Sequence, residues 1–352
     1  MSEKQYGSIV KPLLPGLVYD HDGNVETRWE AMSEGSYVTP NDRFYVRNHG
    51  PTPKIDAASW TLRVEGPGVS RALTLSYEDL LTLLTVSVTR ALECAGNGRI
   101  FFGEQEGREA EGTPWRLGTI GVAEWTGVPL RLLLEEAGLL PSAVEVMPEG
   151  LDEPRLARPL PREKALADET ILARTMNGER LPPDHGYPVR VIVPGWAAVA
   201  SVKWVGRIFV SDEPLLTYWN TEEYVLIGPD YEPQEGPGHG PAVTVAYVNS
   251  ALELPWPARL QGGPNTSPVA PGREQGQSPT SSTASTVRSG NWRVSPFPTY
   301  LELGHASSST GKPAPQHTNF EYGRPTRGVT TSQTAYRTTS KATSTTPSSP
   351  IR

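Results

Sequence analysis

The chain has 352 residues, of which 37% are hydrophobic, and it carries a formal net charge of −7 at pH 7. This length accommodates two domains of ordinary size and at least one large core. The acidic balance argues against a general nucleic-acid-binding protein and favours a small molecule or another protein as the partner.

The N-terminal segment lacks the basic start and the continuous apolar stretch of a secretory signal. No later run approaches the roughly eighteen apolar residues of a membrane span. We therefore expect a soluble, cytoplasmic protein with no membrane span. A periplasmic location is the alternative, if an export signal is missing upstream.

The first part of the chain, residues 1–257, has the pattern of a folded α+β protein, with short elements separated by glycine and proline. Residues 60–66 alternate between polar and apolar side chains like a half-buried strand. Residues 75–84 predict a helix that is capped by Ser76, with Asp79 three positions later.

A second helix is predicted to begin after Pro129 and to end at Gly138. Further along, a strand leads into a predicted turn at Asn177 and Gly178. Two more strands are predicted from segments rich in β-branched residues, residues 187–195 and 202–212. Helices and strands do not alternate regularly, so the pattern argues against a doubly wound parallel sheet.

The single cysteine, Cys94, lies in the stretch ALECAGNGR at residues 91–99. One cysteine excludes an internal disulfide and a thiolate zinc cluster. It leaves three interpretations, a buried small hydrophobe, a nucleophile, or a single soft thiolate ligand. Gly96 and Gly98 allow a sharp turn or the close approach of a ligand, and the Arg99 guanidinium favours a thiolate.

Basic side chains recur in separate stretches of this acidic chain. Arg47 and His49 lie just before a loop that contains prolines, and His185, Arg190 and Lys203 lie around a predicted strand. Guanidinium groups bind phosphate and other oxyanions bidentately. Together these residues predict a local anion-binding pocket, although each alone is equally explained by surface ion pairing or by a turn.

Two further stretches contribute polar groups. EGLDEP places Asp152 in a predicted turn, and YWNTEEYVLIGPDY contains Tyr218, Tyr224 and Tyr231. Each also has an ordinary structural explanation, because an aspartate is common in turns and a tyrosine often packs in a core.

The order of these stretches resembles the sulfite oxidase family of molybdenum enzymes. The matching motifs span about residues 35–250, and the most specific is MNGERLPPDHGYPVRVIVPG followed by VKW. The other matching motifs are VRNHGPTP, ECAGNGR, GTPW, EGLDEP and VKWVGRIFVSDEP.

The resemblance implies an α+β fold, a sulfite oxidase-like molybdopterin-binding domain with mixed sheets. It also implies one molybdopterin per chain and Cys94 as the thiolate ligand of molybdenum, the third of the three interpretations. The residues that match the family's cofactor-binding pattern are Val46, Arg47, His49, Asp152, His185, Arg190, Ser201 and Lys203.

The same resemblance implies a catalytic role in sulfite oxidation to sulfate. Sulfite would lie between Arg47 and Arg99, and Trp115 and Tyr224 would line the pocket. With no haem in this chain, electrons would pass to an external acceptor such as a c-type cytochrome.

Several positions depart from the family pattern and weaken the expected recognition of an anion. Gly98 stands where relatives carry a second arginine, acidic residues surround Glu111 where a basic residue is expected, and VAS replaces GAR before VKW. Two alternatives therefore stay open. One is a reductase of the same fold that acts on a sulfoxide or nitrate, and the other is an inactive molybdopterin-binding remnant.

The composition of the chain predicts three regions. Residues 1–245 form the molybdopterin-binding oxidoreductase domain, and residues 246–262 resemble the start of the family's immunoglobulin-like β-sandwich dimerisation domain. Residues 263–352 are rich in Ser, Thr and Pro and predict a disordered tail. We predict that a frame shift near codons 258–266 causes this change, and we expect the family's homodimer contact to be missing as a result.

Overall fold

The computed structural model describes residues 9–16, 18–21, 23–32, 37–226, 231, 240–247 and 249. The predicted start of a second domain lies outside the described residues except at positions 246, 247 and 249, and the predicted tail and frame shift lie wholly outside them. None of the helices in the described ranges is both long enough and apolar enough to cross a membrane.

The described ranges contain twelve strands and five α-helices, which confirms the α+β fold class. The strands are β1 (Val18–His21), β2 (Asn24–Thr27), β3 (Thr61–Glu65), β4 (Leu73–Ser76), β5 (Val86–Glu93), β6 (Ile120–Pro129), β7 (Glu145–Gly150), β8 (Leu160–Pro161), β9 (Ile171–Met176), β10 (Glu179–Arg180), β11 (Arg190–Ile192) and β12 (Val205–Ser211). The α-helices are α1 (Tyr77–Thr82), α2 (Ile100–Glu106), α3 (Leu130–Glu136), α4 (Arg162–Leu166) and α5 (Tyr218–Thr221).

One five-stranded sheet has the order β4-β3-β12-β7-β8. It is a mixed sheet, because β12 pairs with β3 in parallel while the other neighbours are antiparallel. In β3 the alternation predicted from the sequence is present, since Leu62 and Val64 are buried and Thr61 and Arg63 are exposed.

A second five-stranded sheet has the order β10-β9-β6-β5, and all its pairs are antiparallel. The fifth strand, β11, pairs with the first half of β9, and β10 pairs with its last two residues. The predicted turn joins β9 to β10. Asn177 and Gly178 there have φ angles of 54° and 77°, the left-handed conformation that a tight hairpin turn requires. The largest core cluster contains residues of both sheets, including Val64, Leu172 and Val191.

The two helices predicted from the sequence are present and somewhat shorter than expected. Ser76 caps α1, its hydroxyl accepts a hydrogen bond from the Asp79 N–H, and the Asp79 carboxylate accepts one from the Ser76 N–H. Helix α3 follows Pro129 directly and ends just before Gly138, whose φ is 69°.

The sheets bring the functional stretches to one place. Cys94 follows the last residue of β5, and Asp152 lies two residues after β7. Arg190 begins β11, and Lys203 lies two residues before β12. Side chains that are far apart in sequence therefore surround a common cavity.

Candidate active site

A cavity of about 690 Å³, part of it open to solvent, lies where these strand ends meet. Nine of the twelve site residues predicted from the sequence line this cavity, namely Arg47, His49, Cys94, Asp152, His185, Arg190, Ser201, Lys203 and Tyr224. The other three, Val46, Arg99 and Trp115, do not line it.

Cys94 is held at the cavity wall by its backbone, because its N–H donates to the Thr119 carbonyl at 2.8 Å. The residue is 9% exposed, and burial raises the pKa of the thiol. The opposing effects of the Gly96 N–H and of the Arg47 and Arg99 guanidiniums are smaller. Arg99 thus favours the thiolate as expected, but burial outweighs its effect on the pKa. Metal coordination itself deprotonates a thiol.

The Arg99 guanidinium lies behind the cysteine loop, where two glycines make room for it. A Cβ atom at Gly96 would lie 2.5 Å from one Arg99 nitrogen, and a Cβ at Gly112 would lie 3.0 Å from another. Arg99 also donates to the Thr113 carbonyl at 2.7 Å. Gly96 thus makes room for the arginine, and Gly98, with a φ of 80°, has the left-handed backbone of the sharp turn that was one of the two expectations.

Trp115 and Val46 are core residues in this structure. Trp115 has no exposed surface and makes an edge contact with the ring of His21 at 5.0 Å between centroids. Val46 is 1% exposed, and its backbone pairs with that of Val25. The expectation that Trp115 lines the substrate pocket is not met, because its indole ring is enclosed by neighbouring apolar side chains.

Lys203 connects two of the loops that form the cavity. Its ammonium donates to the Asp184 carbonyl at 2.9 Å, to the Arg47 carbonyl at 3.2 Å and to the side-chain oxygen of Asn48. Burial, and then the charge of Arg190, holds the pKa of Lys203 well below its ordinary value. The three acceptors fix the position of this ammonium at the cavity wall.

Asp184 lines the cavity but was not among the predicted site residues. Its carboxylate accepts hydrogen bonds from the Lys11 N–H at 2.7 Å, the Val10 N–H at 2.9 Å and the Thr52 hydroxyl at 2.5 Å. It is 1% exposed. These bonds hold residues 10 and 11 of the N-terminal segment against the cavity wall. In the sequence, only the position of Asp184 next to His185 could have suggested this role.

Arg190 is oriented by two carbonyls, those of His185 at 3.1 Å and Ser201 at 2.9 Å. Burial lowers the pKa of Arg190 to about 10, so it stays charged at neutral pH. Gly186, with a φ of 109°, allows this packing, because a Cβ there would lie 2.9 Å from the Cβ of Arg190.

Two nitrogen atoms of this group have no hydrogen-bond partner among the described residues. They are Nε2 of His185 and Nε of Arg190, both on buried side chains that line the cavity. Buried polar atoms are normally paired, so such atoms at a cavity wall indicate groups that bind a ligand. Together with the cationic side chains of Arg47 and Lys203, they favour an anionic one.

Asp152 supplies an acceptor at another part of the cavity wall. Burial raises the pKa of its carboxyl, and its Oδ1 accepts a hydrogen bond from the Leu156 N–H at 3.2 Å. The side chain is mostly buried and still lines the cavity. Its carboxyl can therefore bind an N–H edge of a ligand.

The Tyr224 hydroxyl lies 2.9 Å from Nε2 of His49. Burial, together with the charges of Arg47 and Lys203, holds the pKa of His49 well below its ordinary value, so the imidazole is neutral. Burial raises the pKa of the Tyr224 hydroxyl well above its ordinary range. The pair therefore presents neutral hydrogen-bonding groups beside a cationic wall.

Comparisons with known proteins match the part of the chain that contains most of this site. Residues 49–219 match the family model described as oxidoreductase molybdopterin binding domain. The chain is 38% identical over 217 residues to mitochondrial sulfite oxidase of Mus musculus, covering 59% of this chain and 39% of that protein. It is 37% identical over 221 residues to a nitrate reductase [NAD(P)H] of Hordeum vulgare, covering 59% of this chain and 24% of that protein.

A solved structure, the sulfane dehydrogenase SoxCD from Paracoccus pantotrophus, is similar with a TM-score of 0.57 and 28% identity. The match covers 71% of this chain and 60% of that chain. The chain spans less than two thirds of the length of each of these relatives. The chain belongs to the sulfite oxidase family of molybdopterin oxidoreductases, a family of enzymes with a molybdenum cofactor.

Proposed function

We propose that this chain oxidises sulfite to sulfate with a molybdenum cofactor and passes the electrons to an external acceptor such as a c-type cytochrome. The observation that carries the proposal is the cavity itself, which is lined by the only cysteine of the chain and by the basic side chains of Arg47, Arg190 and Lys203. The mammalian relatives named sulfite oxidase and the sulfane dehydrogenase neighbour support a sulfur compound as substrate.

The residues present fit an anionic, metal-bearing cofactor. Cys94 offers a soft sulfur ligand of the type that suits such a metal. The unpartnered Nε of Arg190, with Lys203 nearby, provides a donor for a phosphate group. Asp152 provides an acceptor for the amide and amine hydrogens of a pterin.

The cofactor supplies the two-electron redox chemistry for the net reaction SO₃²⁻ + H₂O → SO₄²⁻ + 2 H⁺ + 2 e⁻. The protein binds and orients the anion. Arg47 lines the cavity, and its guanidinium attracts a dianion at a wall that is partly shielded from solvent, where electrostatic interactions are stronger than in bulk water. Arg99, buried behind the cysteine loop, adds positive charge without direct contact with the cavity.

Tyr224 and His49 provide hydrogen bonds to the same anion without adding charge. When Nε2 of His49 carries the ring proton and donates to the Tyr224 hydroxyl, that hydroxyl can donate its own hydrogen bond to the anion. This arrangement holds an oxyanion in one orientation and leaves the release of protons to water.

Nitrate reduction is the second candidate, and the similarity to the Hordeum vulgare enzyme favours it. Nitrate is a monoanion, so it gains less from the guanidiniums of Arg47 and Arg190 than the sulfite dianion does. The density of positive charge therefore favours sulfite.

The experiment that tests the proposal uses the full chain purified with its bound metal. Molybdenum content is measured first, and then sulfite-dependent reduction of cytochrome c is compared with nitrate-dependent oxidation of a reduced viologen dye. The proposal predicts sulfite turnover well above nitrate turnover and its loss in Cys94→Ser. Faster turnover of nitrate would support the second candidate, and molybdenum-loaded protein without either activity would contradict both.

A further inference from the structure

Arg158 is a buried arginine that does not line the cavity. It lies between β7 and β8 and is 1% exposed. Its guanidinium donates one hydrogen bond to the Trp219 carbonyl and another to the Val243 carbonyl. These two acceptors are 24 positions apart in sequence, so the side chain joins two otherwise separate segments.

The charge of Arg158 has no ion-pair partner within 4 Å in the part of the chain that the structure describes. Burial lowers the pKa of its guanidinium to about 10, and it remains charged at neutral pH. An unpaired buried charge is costly, and an apolar side chain of similar volume would fill the same space at lower cost. What arginine supplies here, and an apolar side chain could not, is the pair of hydrogen bonds from its planar, forked guanidinium group.

Both segments that Arg158 joins contact the Tyr224–His49 pair. On one side, the Trp219 ring packs against the ring of His49, with 4.5 Å between the ring centroids. On the other side, the Val243 N–H donates to the Tyr224 carbonyl at 2.8 Å. Arg158 thus holds one neighbour of His49 and one neighbour of Tyr224 at a fixed separation.

We propose that Arg158 is a positioning residue, which sets the Tyr224–His49 hydrogen bond at the cavity wall and through it the affinity of the site for an anionic substrate. The second half of this statement rests on the proposed function. The first half concerns the geometry of the protein alone and is tested without any turnover.

The test compares Arg158→Met, which removes the fork at similar volume, with Arg155→Met as a matched control. Arg155 lies three positions away, and its largely exposed side chain pairs only with Glu149 at 3.6 Å. Its backbone carbonyl, which accepts from the Trp219 indole at 2.7 Å, is kept in the control. Arg158→Lys retains the charge but not the planar fork.

The first measurement is the ¹⁵N–¹H spectrum of the histidine rings, in which His49 is one of six histidines and is assigned with His49→Gln. Tyr224→Phe calibrates the change that loss of the hydrogen bond produces. We expect Arg158→Met and Arg158→Lys to shift the His49 signals in the direction of Tyr224→Phe, and Arg155→Met to leave them unchanged. If the Met variant does not fold, the Lys variant provides the same comparison.

The second measurement separates KM from kcat for sulfite. A misplaced binding group is expected to raise KM by about tenfold or more while kcat changes less than about threefold. Folded Arg158 variants with wild-type His49 signals would overturn the proposal, as would equal effects of Arg155→Met. If the wild-type chain fails to oxidise sulfite, the proposed function fails, and the His49 signals still decide the positioning role.

Discussion

Replacement of Asp184 by asparagine tests whether the base of the cavity depends on a buried carboxylate. The two oxygens of this side chain accept hydrogen bonds from the Lys11 N–H at 2.7 Å, the Val10 N–H at 2.9 Å and the Thr52 hydroxyl at 2.5 Å. Asparagine has the same shape, but one of its two terminal groups is an NH₂ donor. At least one of these donors must then face another donor.

The expected loss of stability follows from these contacts. One charge-assisted hydrogen bond contributes about 1.5–3 kcal/mol, and an unsatisfied buried donor costs about 1–3 kcal/mol. These two costs overlap, so we expect Asp184→Asn to lower the free energy of unfolding by about 3 kcal/mol. For a domain of this size, that corresponds to a fall in Tm of roughly 6–12 °C.

Urea unfolding of the cofactor-free protein, followed by circular dichroism, measures this difference directly. Asp212→Asn is the matched control, since Asp212 is exposed and far less constrained, and its effect should stay within about 0.5 kcal/mol. If Asp184→Asn costs no more than the control, the carboxylate does not fasten the N-terminal segment to the site.

Two further predictions concern pH and the glycine beside Arg190. Burial keeps His49 and His185 neutral in the folded protein, so these two side chains take up protons only in the unfolded chain as pH falls below about 6.5. The free energy of unfolding should then fall by up to about 1.4 kcal/mol per pH unit for each histidine. Urea unfolding at pH 7.5 and 5.5 checks this, and a flat profile would contradict it. Gly186→Ala should lower the free energy of unfolding by about 2–4 kcal/mol, because of left-handed backbone strain and contact with Arg190. Gly178→Ala, where the space is open, should lower it by only about 1–2 kcal/mol in the same assay.

The local elements could be predicted from the sequence because their signals are local. The capping pair Ser76 and Asp79, the Asn177–Gly178 turn and the alternation of β3 each depend on a few neighbouring residues. Nine of the twenty cavity-lining residues could be assigned, because the family resemblance connects stretches that lie more than 100 positions apart.

The remaining features depend on packing that no short pattern records. Trp115 is an aromatic residue near the cysteine loop in sequence, yet it is enclosed in the core. Gly96 serves the Arg99 side chain, and Arg158 connects segments that are joined only in the fold. The roles of Trp115 and Arg158 depend on residues far apart in the chain, and the role of Gly96 depends on the path of a single side chain. Composition and periodicity carry no information about either.

The measurement that tests the central claim most directly is molybdenum X-ray absorption of the purified full chain and of Cys94→Ser. We predict about one molybdenum per chain in the wild type, and one sulfur fewer around the metal in the Cys94→Ser protein. Equal numbers of sulfur neighbours in the two proteins, or wild-type protein that binds no molybdenum, would contradict the assignment of this cavity as the cofactor site.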